Sequence, residues 1–232
     1  AAAGFALLAR VLGPRDGGAV FDAAPEARLA EVLGAVLEAV LAALASAEEH
    51  PEVRAQLLAS AKRLPARTAL PMLQTVARPM PAGETHLPLL AWWALEAKCT
   101  QEREETLAYL TKDTPLIQCG VFESTLASRI GQRFAAGGDP RGLEACERLF
   151  ASWKNSAALK SFAEGIWAGF EAGETLALSQ SLAAALKAHG GERGSAAITA
   201  ALRSGEKSAI DSALKQLANT KASTTERMDI AK

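Results

Sequence analysis

Apolar residues recur at helical spacing along most of this chain. Residues three, four and seven positions apart share one side of an α-helix. Between Asp22 and His50 this spacing produces one apolar face, formed by Leu29, Val32 or Leu33, Val36, Leu37, Val40 and Leu44. Asp22 and Pro25 stand where a helix cap and a first-turn proline are expected. Because no segment alternates apolar and polar residues as a half-buried strand does, the pattern predicts an all-α protein.

The predicted helices fall into pairs. Successive pairs begin at intervals of about 30 to 45 residues, the range of helical-pair solenoid repeats, near Pro51, His86, Thr114, Ser156 and Ser195. The pairs resemble one another in the spacing of their helices more than in amino-acid sequence, which favours HEAT-like units over strict tetratricopeptide or ankyrin units. We therefore expect a HEAT/armadillo-like α-solenoid of stacked antiparallel helix pairs. It would form a single repeat domain over residues 1–232, with N-terminal helices in 1–48 and HEAT-like pairs in 49–232.

Local signals place the ends of several helices. Thr85 is expected to cap the helix that follows it. A long helix is predicted to begin at Asp113 or Thr114 and to end at the glycines Gly137 and Gly138. Three carboxylates at the start of another helix form a charge run that we expect to be solvated: Glu102, Glu104 and Glu105.

The segment "HLPLLAWWALEAKC" is apolar on every side and contains two adjacent tryptophans, Trp92 and Trp93. A helix without a polar stripe is expected to be buried nearly all round. Neighbouring helical residues point about 100° apart, so the two indoles would meet different neighbours. Either both are core residues, or one is partly exposed and anchors a partner. Trp92 and Trp93 are therefore candidate interaction residues, together with His86 at the helix entrance.

Composition and charge narrow the classes of function. Apolar residues make up 49% of the chain, charged residues 22%, and the formal net charge is −1. Since no basic stripe is present, we expect no nucleic-acid partner. The longest apolar face, from Glu31 to Ala45, is too short and too often interrupted by glutamate for insertion into a membrane.

No constellation of residues predicts catalysis. The cysteines Cys99, Cys119 and Cys146 show no metal-type spacing and are expected to be small buried residues, with a disulfide or a reactive thiol as alternatives. None of the three histidines, His50, His86 and His189, has a second ligand at metal-binding spacing. There is no nucleophile elbow and no phosphate-binding loop after a strand. We therefore predict a protein that is not an enzyme, with no catalytic, cofactor-binding or metal-binding residues.

Between Pro51 and Lys98 the elements "KRLP", "LP" and "H-x-P-L-L-x-W-W-A-L-E" occur in order. On these residues the chain resembles the HEAT-like repeat region of exported bacterial proteins, the membrane-bound dehydrogenase and haem-binding CxxCH (PVC-type) family. In that family the helical region joins a β-propeller to a cytochrome c-type domain. This chain has neither propeller strands nor a C-x-x-C-H motif, so no haem ligand is carried over to any residue.

The resemblance implies a periplasmic or cell-envelope setting. It also implies a non-enzymatic scaffold that makes contacts with a protein partner or with adjacent domains of the same polypeptide, within a larger redox-associated protein. The alternative is the helical portion of a haem-containing dehydrogenase that takes part in electron transfer. The first residues, "AAAGFALLARV", include no initiator methionine, so we expect the chain to be a fragment of a longer one.

Overall fold

A computed structural model of the protein describes most of the chain after Ala47. The described residues are 48–78, 80, 84–112, 114–136, 138–172, 178–189 and 207–220, and the isolated positions 32, 34, 36, 40, 43, 45, 202, 205, 223, 224, 227 and 228. Every regular element among them is a helix, which confirms the all-α prediction for these residues. Most of the predicted N-terminal helices in 1–48, and most of the first helix of the pair predicted near Ser195, lie outside the described residues.

Nine α-helices and one π-helical turn are described. In chain order they are α1 (Pro51–Ala61), α2 (Ala66–Ala77), α3 (His86–Gln101), α4 (Arg103–Leu110), the π-turn (Phe122–Leu126), α5 (Ala127–Ala135), α6 (Pro140–Ser152), α7 (Ser156–Ala172), α8 (Gln180–His189) and α9 (Lys207–Ala218). Proline occupies the first position of α1 and of α6. The N–H groups of the first turn have no intrahelical partner, so proline, which lacks an N–H, fits at a helix start. Asp139 caps α6 by accepting the backbone N–H of Arg141 at 3.0 Å.

The helices of the described part contact one another in a regular order. Helix α1 packs against α3, α3 against the π-turn and α5, and α5 against α7, and we call these elements the odd row. Helices α2, α4, α6 and α8 also contact in succession, and we call them the even row. Contacts within the hairpins, such as α1 with α2, α5 with α6 and α7 with α8, join the two rows. From α1 to α8, each helix therefore meets the other helix of its hairpin and at least one helix two positions away in the chain.

A continuous apolar core lies where the elements meet. Phe122, Phe162 and Leu95 are fully buried within it. The Trp153 ring packs edge-on against Phe122 at 5.1 Å between centroids and lies 4.9 Å from Phe162. Its indole N–H donates to the carbonyl of Leu110 at 2.8 Å, which satisfies the polar atom of a buried indole. Apolar burial and a paired indole together hold α6 against α4 and α7.

Helices α5 and α7 approach each other backbone to backbone. A Cβ atom added at Gly165 of α7 would lie 1.8 Å from the carbonyl oxygen of Ser128 in α5. One added at Gly131 of α5 would lie 2.4 Å from the carbonyl oxygen of Phe162. Only glycine fits at such positions, because real side chains never come so close to backbone oxygen. This crossing fixes the spacing of the odd row at its far end.

Two expectations about helix ends are wrong. The long helix does not begin at Thr114: residues 115–118 form turns, and Leu116 and Ile117 reach the core from them, so their apolar spacing resembled a helix. Thr85 makes no capping bond; instead Glu84 accepts the backbone N–H groups of the first two residues of α3. Val36 and Val40 are helical, as their spacing predicts, and are 39% and 48% exposed.

Candidate functional site

Helix α3 is buried on one side and open on the other. Its inner side carries Leu87, Ala91, Ala94 and Leu95, which are 2% exposed or less. Its outer side shows the exposed His86 and Thr100 and the half-buried Leu89, Leu90 and Glu96. The expectation that this helix is buried nearly all round is therefore wrong. Contacts with α1, α2 and α5 cover only part of its circumference.

The two adjacent tryptophans lie in opposite environments. Trp92 is 6% exposed and therefore a core residue, whereas Trp93 is 45% exposed. The guanidinium carbon of Arg129, on α5, lies 5.9 Å from the centroid of the Trp92 ring, within the range of a cation–π contact. Of the two interpretations left open above, the structure contradicts two core indoles and agrees with one exposed indole.

Trp93 is the centre of a surface that α3 shares with α5. Leu89, Trp93, Glu96 and Thr100 follow one another at spacings of four, three and four residues, so they lie along one stripe of α3. Arg133 of α5 reaches this stripe: its Nε lies 3.7 Å from Glu96 Oε1, and its Nη2 donates to Thr100 Oγ1 at 3.3 Å. We call this surface the α3–α5 face: it is made of Leu89, Trp93, Glu96, Thr100 and Arg133, together with the exposed Arg129, which lies one helical turn before Arg133 on α5.

Both arginines of this face were missed by the sequence analysis. Arg129 and Arg133 are four residues apart and exposed, so the spacing alone predicts that they share one side of α5. Nothing in the sequence pairs that side with Trp92 and Glu96, which are more than thirty residues away. The packing of α5 on α3 is what brings the groups together.

His86, the third candidate residue, lies at the first position of α3 with its side chain 88% exposed. Its Nδ1 is 3.6 Å from Glu84 Oε1. The backbone N–H groups of His86 and Leu87 lower the pKa of Glu84, because they donate to its carboxylate. His86 precedes Trp93 by two helical turns on the same stripe, about 10 Å along the axis. It therefore lies at one end of the α3–α5 face.

A buried ion pair holds the other end of α3. The Lys98 side chain is only 3% exposed, and its Nζ donates to Glu102 Oε1 at 3.1 Å. Glu102 Oε2 accepts the backbone N–H of Ala66, the first residue of α2, at 2.9 Å. That N–H, together with Lys98, lowers the pKa of Glu102. The expectation of a solvated charge run is wrong for Glu102, because its carboxylate joins the α3–α4 junction to α2.

The cysteines are free, and burial governs their chemistry. Cys99 and Cys146 are buried, and Cys119 is partly buried. Burial raises the pKa of Cys99 to about 12 and also raises the pKa values of Cys119 and Cys146. A thiol with a raised pKa is a poor nucleophile at neutral pH. Packing is therefore their role in this fold, as predicted.

Three further features of the described part bear on possible sites. An open groove of about 440 Å³ lies between the end of α2, the start of α3 and the π-turn, and Met80, Pro88 and Cys119 are among its lining residues. In the described ranges, no three His, Cys, Asp or Glu side chains come together as a metal site would require. None of the helices in those ranges combines the length and the apolar character that crossing a bilayer requires.

Comparison of the chain with protein-family models, with curated proteins and with solved structures finds no match. The α3–α5 face is thus the feature with the clearest chemistry: an exposed indole, aliphatic flanks and two guanidinium groups on rigid helices. Tryptophan and arginine are the residue types that most often dominate protein–protein binding energy.

Proposed function

We propose that this chain is a non-enzymatic, HEAT-like repeat scaffold that mediates protein–protein or inter-domain contacts within a larger redox-associated polypeptide. The observation that carries the proposal is the order of helix contacts. In a helical-pair solenoid each helix packs against its hairpin partner and against its counterpart in the next pair. From α1 to α8, successive helices contact one another within the odd row and within the even row, and hairpin contacts join the two rows.

The starts of the helix pairs support the same reading. Helices α1, α3 and α7 begin at Pro51, His86 and Ser156, which are three of the five predicted starts of helix pairs, whereas no helix begins at the fourth, Thr114. A stack of such pairs buries a continuous core and leaves its outer faces available to partners. The α3–α5 face lies on the odd row and presents Trp93 to solvent. The periplasmic or cell-envelope setting is supported by the resemblance of the segment from Pro51 to Lys98 alone.

Site-specific photo-cross-linking in the source polypeptide tests the scaffold role. A benzoylphenylalanine residue would replace Trp93 on α3 or Val53 on α1, both exposed on the odd row, and Leu214 on α9 would serve as a third site. We expect cross-links from at least one odd-row position to another domain or to a second protein. If none of the three positions yields a cross-link, the scaffold proposal fails.

An absorption spectrum of the purified chain tests the non-enzymatic part of the proposal. We expect only the protein band near 280 nm, to which the four tryptophans contribute most. A Soret band that remains after gel filtration would show tight haem binding and would support the electron-transfer alternative instead.

A further inference from the structure

We infer that the α3–α5 face binds an acidic segment of a partner protein, which places an apolar side chain against Trp93 and a carboxylate on Arg129. This inference rests on the proposed scaffold function and specifies the partner. Its observations are the exposure of Trp93, the position of Arg129 over Trp92, and the balance of charge around them.

The apolar part of the face offers an exposed surface to an apolar side chain of a partner. Trp93 is 45% exposed, although it lies in the middle of a 16-residue helix whose other side is core. The half-buried Leu89 and Leu90 lie one turn before it. An indole on a rigid helix loses little conformational freedom on binding and offers a large area, which is how anchor residues act.

The charged residues of the face favour a partner with negative charge. Arg129 is exposed and lies against the Trp92 ring, and no carboxylate among the described residues lies within ion-pair distance of it. Arg133 meets Glu96 at 3.7 Å, a looser pair than Arg103 with Asp139 at 2.8 Å. Two guanidinium groups therefore face one carboxylate, and a partner carboxylate complements the remaining charge.

An acidic protein segment fits this face better than a nucleic acid does. The face combines two arginines with an indole and leucines, and the whole chain has a net charge of −1. Nucleic-acid surfaces are strongly basic and extend over many phosphates. The Arg129 guanidinium lies 5.9 Å from the centroid of the Trp92 ring, and its planar group of N–H donors matches the two oxygens of a carboxylate.

A library of random dodecapeptides displayed on phage tests the inference. The library is selected on the wild-type chain alone, and the retained peptides are then measured on Trp93→Ala, after circular dichroism has shown that the variant is folded. We expect the retained peptides to be enriched in Asp or Glu beside Leu, Ile or Phe. A synthetic peptide with the consensus sequence should lose affinity about tenfold or more on Trp93→Ala. It should also bind Arg129→Gln several-fold more weakly, and Arg129→Glu more weakly still.

Matched controls are available on other surfaces. Arg141 of α6 has a side chain that is 80% exposed, and Leu214 of α9 is 59% exposed. The variants Arg141→Gln and Leu214→Ala should bind the consensus peptide as the wild type does. Added salt should weaken wild-type binding more than binding to Arg129→Gln, because the arginine supplies the screened attraction.

Several outcomes would overturn the inference. Retained peptides that are basic or uncharged, or equal affinity of the wild type and Arg129→Gln, would remove the acidic partner. Duplex DNA or phosphatidylglycerol vesicles could bind the chain through Arg129 and displace the peptide. That result would show that the face binds a polyanion and not an acidic protein segment. A peptide-free dimer that Trp93→Ala dissociates in sedimentation would replace it with a second copy of the chain. Peptides that bind the wild type and Trp93→Ala equally would overturn this face but leave the scaffold role standing.

Discussion

At the scale of single residues, the adjacent tryptophans show how one helical step changes the environment of a side chain. Trp92 is turned towards α5 and is covered by Arg129, while Trp93 is turned about 100° away and reaches solvent. Burial of an indole stabilises the fold, whereas an exposed indole contributes little until a partner covers it. The two positions are therefore expected to separate stability from binding.

We expect Trp92→Ala to lower the free energy of unfolding by about 3–5 kcal/mol, because a large buried side chain leaves a cavity. Trp93→Ala should lower it by less than about 1 kcal/mol, as exposed positions commonly do. Urea unfolding followed by far-ultraviolet circular dichroism measures both values. A loss of several kcal/mol in Trp93→Ala would show that this indole is a packing residue.

Glu102 is a second residue whose contribution to stability can be measured, because that contribution depends on pH. Its folded pKa lies below the ordinary value of 4.5, chiefly because it accepts the N–H of Ala66 and also because Lys98 faces it. A lowered folded pKa means that the carboxylate stabilises the fold fully above its unfolded pKa. This contribution is lost as the pH falls through the lower, folded value.

We expect Glu102→Gln to cost about 1–3 kcal/mol at pH 7, the range for hydrogen bonds to charged groups. The difference from the wild type should begin to shrink below about pH 4.5, where the carboxylate of the unfolded chain takes up a proton, and it should be lost as the pH falls through the lowered pKa of the folded state. Urea unfolding at several pH values between 7 and 3 measures the difference. Glu105→Gln, at an exposed position on α4, should follow the wild type throughout. A difference that does not change with pH would contradict the role given to the carboxylate.

At the scale of elements, the crossing of α5 and α7 depends on the absence of side chains. A Cβ at Gly165 would fall 1.8 Å from the carbonyl oxygen of Ser128, so the helices would have to separate before any larger residue fits. Separation would also loosen the contacts of Phe162, which is fully buried nearby. The absence of a side chain at Gly165 and the close packing of Phe162 therefore both stabilise the contact between α5 and α7.

We expect Gly165→Ala to lower the free energy of unfolding by about 1–3 kcal/mol through overpacking, despite the better helix propensity of alanine. Gly120 provides the control, because a Cβ there has nothing within 4 Å. Gly120→Ala should leave the free energy unchanged or raise it by up to about 1 kcal/mol. Thermal and urea unfolding of both variants measure the contrast, and an equal effect of the two substitutions would refute the close crossing.

At the scale of the whole molecule, the two rows make each helix depend mainly on its near neighbours. Helices α1 and α2 contact α3 and α4, and α5 and α6 contact α7 and α8, while the α3–α4 hairpin meets the π-turn, α5 and α6 between them. In the stack of helix pairs that we propose, stability is expected to be approximately a sum of terms for each unit and each interface. Local damage is then expected to spread unevenly.

Hydrogen exchange on the Gly165→Ala variant tests this expectation. The amides of α5, α6, α7 and α8 should lose protection more than those of α1 and α2, because the damaged crossing lies among the former helices. Mass spectrometry of the exchanged, digested protein measures the loss segment by segment. Uniform loss over all the helices would instead indicate one all-or-none unit and would count against the repeat organisation.

Much of the secondary structure could be predicted, but little of the candidate site could. The proline starts of α1 and α6 and the helical spacing of α3 are local properties, so they appear in the sequence itself. The turns at 115–118 were missed because Leu116 and Ile117 are spaced as in a helix. Of the α3–α5 face, only Trp93 was a candidate, and its arginines were not.

The sequence by itself determined that the described residues are helical and where several of the helices begin, because these follow from local backbone preferences and short-range periodicity. Only the tertiary structure decided which side of α3 faces solvent, since a helix that is apolar all round does not specify its open side. It also decided that Glu102 binds the start of α2 and that Arg129 covers Trp92. Both contacts join residues far apart in the chain, and packing between helices, which local pattern does not encode, sets their distance.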